Sequence, residues 1–167
     1  MIVRSANNFL LKGKLNELFY ISGSIANINL DKKIFEKIKS QDQDCPALYS
    51  YIYENVMHEI HIVDDIIISI STSFYNNFKM KIFIEGENGS MFKLKVKSSI
   101  LDFANFLNVN NYFWEMDKAN SRDKTLGIKI NSLTTLMYSF EKGEEGVVQI
   151  SSFDRLLYNK ISEKYHT

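Results

Sequence analysis

Alternating hydrophobic and polar positions recur along the chain and predict mostly β-strands. The segment from 79 to 97, KMKIFIEGENGSMFKLKVK, alternates on both sides of Glu-Asn-Gly at 87 to 89. This tripeptide is typical of a three-residue hairpin turn with glycine in the left-handed conformation. Such a turn places Ile84 opposite Phe92, so that the apolar side chains share one face. A two-residue Asn-Gly turn would place Ile84 opposite Lys93 and mix the two faces.

Further segments have the β-branched and aromatic composition that strands favour. They are DIIISISTSF, NYFWEMD, TLGIKIN, TTLMYSFE and GVVQISS, and turns are expected near Asn120, near Ser132 and between Gly143 and Gly146. The N-terminal segment NELFYISGSIANINL contains β-forming residues interrupted by Ser22-Gly23, which favours two strands there.

Helical spacing of apolar residues predicts about four helices. They begin at a cap on Asp31, at Pro46, near Ser99 and near Ser152, and the last helix covers 152–165. Ser99 and Asp102 have the spacing of a capping box. A strand stays an alternative for the segment from 46 to 65, because Glu59 falls inside the apolar stripe of the predicted helix.

These elements together predict the fold class. Strands outnumber helices and mostly follow one another through short turns, a pattern typical of α+β proteins with antiparallel sheets. No linker composition or repeat divides the 167 residues. We therefore expect a single α+β domain over 1–167, with a mainly antiparallel sheet of about 6–8 strands and about four helices.

Composition narrows the classes of function. The 20 basic and 20 acidic residues cancel, which argues against a protein that coats nucleic acid or an anionic membrane. A single cysteine excludes an internal disulfide framework and suits a reducing compartment. The longest apolar cluster, IIISI, is too short to span a bilayer, and the N-terminus lacks the apolar run of a signal peptide. We expect a cytoplasmic protein without a membrane partner.

The hairpin turn also predicts a basic surface, here called the lysine face. Its members lie on the side opposite the apolar residues, and they are Lys79, Lys81, Phe83, Lys93, Lys95 and Lys97. Lys81 falls directly opposite Lys95, and like charges so placed destabilise a strand pair. The face suits nucleic acid or an acidic protein. Alternatively, it is a solvated surface whose lysines discourage aggregation.

Acidic residues gather in the preceding segment. Between Lys39 and Lys79 there is no lysine or arginine, and the six acidic residues give that span a formal charge of −6 against +6 for the rest. Such a surface can steer a basic partner protein. The residues predicted to contact that partner are Asp42, Asp44, Glu54, Asp64 and Asp65.

A metal site is a weaker alternative around His58 and His61. If 46–65 is a helix, these imidazoles share a face with Glu54 and Asp65, and the four side chains can reach one ion. If the segment is a strand, the two histidines point to opposite faces and the site is lost.

The sequence favours a function in binding. No catalytic motif identifies a reaction, so no catalytic residue and no cofactor are predicted. The leading hypothesis is a non-enzymatic intracellular protein of the inhibitor or immunity type, which neutralises a partner such as a toxin by electrostatic docking. A nucleic-acid-binding protein that uses the lysine face is the alternative, and a small metal-dependent hydrolase is the second alternative.

Overall fold

A computed structural model describes residues 2–3, 13–26, 28–29, 31, 33–41, 46–53, 56–74 and 81–163 of the chain. In this part there are eleven strands and two helices. The strands are β1 Ile2–Val3, β2 Phe35–Lys39, β3 Ala47–Tyr53, β4 Val56–Val63, β5 Ile66–Ser73, β6 Lys81–Glu85, β7 Met91–Lys95, β8 Trp114–Met116, β9 Thr125–Ile130, β10 Thr134–Ser139 and β11 Gly146–Phe153, and the helices are α1 Ile100–Val109 and α2 Arg155–Ser162.

Eight strands form one antiparallel sheet in the order β2-β3-β4-β5-β11-β10-β9-β8. It consists of two four-stranded meanders, β2 to β5 and β8 to β11, which are joined where β5 pairs with β11. A second sheet has the order β1-β6-β7, in which β1 runs parallel to β6 and β6 forms a hairpin with β7. The prediction of a mainly antiparallel α+β fold is confirmed in outline.

The core lies between the large sheet and a layer formed by the β6–β7 hairpin and α1. Ile60 and Ile70 face each other across β4 and β5, and they belong to the same apolar cluster as Leu94 of the hairpin and Phe103 of α1. Burial of this apolar surface is the main force that holds the two layers together. The side of the large sheet that faces this layer is called the inner face, and the opposite side is called the outer face.

Two predicted helices are strands instead. The segment assigned to a helix after Asp31 contains β2, and the segment from Pro46 contains the β3–β4 hairpin. The physical reason is that Tyr49, Tyr51 and Tyr53 alternate along β3 and pack against the core, a pattern that suits a strand. Aromatic side chains also pack well across strands, as the stacked rings of Phe35 and Tyr49 do.

The N-terminal prediction of two strands is also wrong in the described residues. Residues 13–26 form a loop with only isolated bridges, between Lys14 and Tyr20 and between Ser24 and Ile66. Part of the segment that suggested strands instead contributes to the core, since Phe19 is buried and Ile21 and Ile25 pack against the core cluster.

The remaining helices and strands follow the prediction closely. α1 begins after Ser99, whose hydroxyl accepts a hydrogen bond from the backbone N–H of Asp102, as the capping spacing predicts. The last helix starts at Arg155 and not at residue 152, because β11 continues to Phe153. No helix within the described ranges is long and apolar enough to cross a membrane.

Candidate functional site

The lysine face has the predicted register. Lys81 pairs with Lys95 and Phe83 with Lys93 across β6 and β7, while Ile82 and its apolar neighbours on the other side are buried. The three-residue turn is therefore confirmed, and with it the separation of lysines from apolar residues. Lys79 lies outside the described residues.

The lysines of this face that the structure describes differ in exposure. Lys93, Lys95 and Lys97 are exposed, and Lys81 is half-buried. None of these four forms an ion pair with a residue that the structure describes. The Lys93 Nζ instead lies 5.8 Å from the ring centroid of Phe83, a weak cation–π contact. Within the described part of the chain, no ion pair neutralises the positive charge of these four lysines.

Buried polar groups fix the hairpin that carries these lysines. Asn110, at the end of α1, is only 1% exposed, and its Nδ2 donates to the carbonyl oxygen of Phe106 at 2.9 Å. The same side chain contacts the hairpin turn, where the backbone N–H of Asn88 donates to its Oδ1 at 3.4 Å. At the other end of the hairpin, the Ser98 hydroxyl accepts from the backbone N–H of Lys95 at 2.9 Å. The lysine face is therefore held in a defined orientation.

Relief of the repulsion between Lys81 and Lys95 should stabilise the hairpin. In the Lys95→Glu variant, opposite charges would face each other, and the free energy of unfolding should rise by a few tenths of a kcal/mol. Urea unfolding at low salt measures this change, and Lys97→Glu is the matched control because residue 97 lies beyond the last paired position. Equal unfolding midpoints for the two variants would contradict the expected repulsion.

The acidic residues do not form the predicted helix face. Asp64 and Asp65 make the β4–β5 turn with φ of 50° and 61°, values typical of a type I′ hairpin turn. The Asp64 backbone N–H donates to Oε1 of Gln41 at 3.0 Å, so this turn is tied to the chain before β3. The other predicted contact residues, Asp42, Asp44 and Glu54, lie outside the described residues. Whether the acidic residues bind a partner stays a prediction.

The two histidines lie on β4 three positions apart, and their surroundings differ. His58 is 4% exposed on the inner face, and its Nδ1 lies 2.6 Å from the Thr72 hydroxyl oxygen. His61 is half-buried and lies across from Ser69 on β5. The helix face that motivated the metal hypothesis does not exist, because this segment is a strand. No group of three or more metal-binding side chains occurs among the residues with described positions.

Burial disfavours the charged form of both imidazoles. It lowers the pKa of His58 from the usual 6.5 to about 4. Burial also lowers the pKa of His61, and the nearby carboxylate of Glu59 partly offsets that effect. His58 Nε2 has no hydrogen-bond partner among the described residues, so protonation there would place a charge without such a partner in the core. His58 is therefore a neutral core residue near pH 7.

The outer face carries a feature that the sequence did not predict, here called the polar row. One residue from each of the eight strands lines up across the sheet, and every one is polar. The members in sheet order are Glu36, Ser50, Glu59, Ser71, Ser151, Thr135, Lys129 and Glu115. Alternation within each strand indicated which residues share a face, but only the pairing of strands distant in sequence aligns them in one row.

A loop after β8 crosses the outer face and is fixed by Asp117. The Asp117 Oδ2 accepts hydrogen bonds from the Thr135 hydroxyl at 2.9 Å and from Asn120 Nδ2 at 2.8 Å. Its Oδ1 accepts from the backbone N–H of Ala119 at 3.1 Å. Burial raises the pKa of Asp117, but the hydrogen bonds from Asn120 and Thr135 outweigh burial and leave that pKa below its usual value. The loop can approach so closely because Gly127 on β9 has no side chain.

This loop and α2 enclose a cleft of about 810 Å³ on the outer face. Lys129, Thr135 and Ser151 of the polar row form its floor, while Asp117 and Asn120 line one side. The start of α2 lines the other side, beginning at Asp154, whose Oδ1 accepts from the backbone N–H of Leu157 at 2.9 Å. A volume of this size is typical of small-molecule sites.

Comparisons with known proteins identify no relative: no protein-family model, no curated protein and no solved structure matches this chain.

Proposed function

We propose that this protein is a non-enzymatic binding protein of the inhibitor or immunity type, which docks an acidic surface of a partner protein on its lysine face. The observation that carries the proposal is the set of four lysines on one fixed hairpin without an ion-pair partner in the described part of the chain. Carboxylates of a partner would supply the missing counter-charges and would offset the repulsion between Lys81 and Lys95. A single cysteine suits action in the cytoplasm.

An acidic protein fits the lysine face better than nucleic acid does. The face has no arginine, which is the residue that binds phosphate in a bidentate manner. Its one aromatic side chain, Phe83, is half-buried and has the Lys93 ammonium near its ring. Base stacking, which supplies much of the affinity for single strands, therefore has little free ring surface here. The aromatic ring beside lysines nevertheless makes nucleic acid the second candidate.

The test is a comparison of two triple variants with the same change in net charge. The first variant replaces Lys93, Lys95 and Lys97 by glutamate. The control replaces three exposed lysines elsewhere by glutamate, namely Lys118, Lys142 and Lys160. We expect a stoichiometric protein from the native host to bind the wild type and the control, and to lose binding by about tenfold or more with the first variant. Binding should also weaken as salt rises, because exposed charges are screened.

The inhibitory role has its own readout. The recovered partner should lose its activity when the wild-type protein is added and keep that activity when the lysine-face variant is added. Equal binding by both triple variants would contradict the assignment of the lysine face. Tighter binding of single-stranded DNA or RNA than of any recovered protein, again lost in the first variant, would favour the nucleic-acid alternative.

A further inference from the structure

The cleft on the outer face is lined by two cationic side chains that have no ion-pair partner among the residues with described positions. Lys129 is half-buried on the floor and Arg155 is exposed at the start of α2. Lys129 lies directly across from Glu115 on β8, yet no ion pair joins them, and neither cation is paired with a residue in the described part of the chain. Both residues line the same cleft.

The two carboxylates in the cleft accept hydrogen bonds from other groups of the protein. The two oxygens of Asp117 accept hydrogen bonds from Thr135, Asn120 and the backbone N–H of Ala119. Asp154 accepts from the first turn of α2. Two carboxylates and two cations line the cleft, and of these four side chains only the carboxylates form a hydrogen bond there within the described part of the chain. A ligand that supplies negative charge would pair with the two cations.

Hydroxyl and amide groups surround the two cations. Ser151 lies on the floor, and Ser132 lies in the β9–β10 turn, where its φ of 59° turns the chain tightly beside the cleft. Asn120 borders the loop side. Phe153 and Tyr158 form an aromatic pair, with ring centroids 5.9 Å apart, at the α2 side. Donor–acceptor groups next to an aromatic surface suit a ligand with several hydroxyl groups and an apolar ring face.

We propose that this cleft binds a small anionic sugar, in which a phosphate or carboxylate contacts Lys129 and Arg155 while the sugar hydroxyls face Ser132, Ser151 and Asn120. Arginine contacts such oxyanions through two parallel hydrogen bonds, and lysine adds a point charge. The site lies on the large sheet, away from the hairpin that carries the lysine face. It is independent of the proposed partner docking.

The test is a titration of the full chain, labelled with ¹⁵N, followed by amide chemical shifts. Ribose 5-phosphate and glucuronate are the two anionic probes, and ribose, glucose and inorganic phosphate are the comparators. We expect saturable shifts around Gly127, Ser132 and Arg155 with at least one anionic sugar, and weaker binding of every comparator. The stronger of the two anionic probes distinguishes a phosphate ligand from a carboxylate ligand.

Variants at the two cations test whether these side chains bind the ligand that causes the chemical-shift changes. Lys129→Met and Arg155→Met should each weaken binding by about tenfold, because each removes a charge-assisted contact. Lys142→Met, an exposed lysine outside the cleft, should leave the affinity unchanged, as should the triple lysine-face variant. Because Arg155 is exposed, its variant keeps the test valid even if Lys129→Met does not fold.

Three results would overturn the proposal. The first is that no probe gives saturable shifts in the tens of millimolar range. The second is that the shifts fall on β6 and β7, which would assign anion binding to the lysine face. The third is that inorganic phosphate binds as tightly as the anionic sugars, which would remove the role of the hydroxyl contacts.

Discussion

The Gly146→Ala variant is expected to lose about 3 kcal/mol or more of unfolding free energy. A Cβ at this position would lie 2.1 Å from the carbonyl oxygen of Val96 and 2.9 Å from its carbonyl carbon. Gly146 also has a φ of +142°, which L-residues with a side chain rarely adopt. The next residue, Val147, donates its backbone N–H to the same Val96 oxygen at 2.7 Å. The clash would therefore separate the start of β11 from the chain that follows β7.

The added Cβ would meet the backbone carbonyl of Val96, so the clash can be relieved only by a shift of backbone. Gly146 is paired with Ser139 in the β10–β11 ladder. Gly143→Ala is the matched control, because Gly143 has a φ of +90° but no atom within 4 Å of the added Cβ. The control should lose only about 1–2 kcal/mol, the cost of the left-handed conformation. Urea unfolding of both variants and the wild type measures the difference, and an equal loss would show that the close approach to Val96 does not matter.

Acidification should destabilise the protein through His58 before most carboxylates are protonated. The pKa of His58 is about 4 in the folded state, against about 6.5 when the chain is unfolded. Because the folded pKa is the lower one, the unfolded state takes up the proton first as the pH falls below about 6.5. The contribution of neutral His58 to the free energy of unfolding is therefore fully present above pH 6.5 and decreases as the pH falls to about 4. The total loss is about 3 kcal/mol, from a shift of about 2.5 units.

The measurement is the free energy of unfolding at several pH values from neutral to about pH 4. His58→Gln cannot titrate, and its stability should fall much less steeply with acid than that of the wild type. His61→Gln is the control, since His61 is only half-buried and its variant should keep most of the dependence. Titration of the His58 ring protons by NMR gives a second readout. A midpoint near pH 6.5 in the native protein would refute the prediction.

Local patterns predicted the parts of this fold that depend on neighbours in sequence. The β6–β7 hairpin and its register follow from the Glu-Asn-Gly turn, because turn length fixes which residues face each other. α1 follows from its cap at Ser99 and its apolar spacing. β5 and the strands β8 to β11 follow from β-branched and aromatic composition. In each case the interactions that decide the structure lie within a few residues of one another.

The segment from 46 to 65 could not be assigned from its own residues. Apolar residues four apart suggested a helix, while Glu59 within the apolar stripe counted against it. The segment forms strands because both edges of the β3–β4 hairpin gain backbone hydrogen bonds. β4 pairs with β5, and β3 pairs with β2. This outcome removed the acidic helix face and the metal hypothesis together, and it placed His58 in the core.

The sequence alone determined that the protein is neutral overall and has a basic hairpin face. Net charge is a sum over residues, and the length of a short turn fixes which residues of its hairpin face each other. Only the tertiary structure decided that β5 pairs with β11, and this long-range contact joins the two meanders into one sheet. From that pairing follow the polar row and the cleft with Lys129 and Arg155, whose parts lie on strands and a helix separated along the chain. Contacts between distant segments depend on how whole faces pack, and no local pattern encodes that choice.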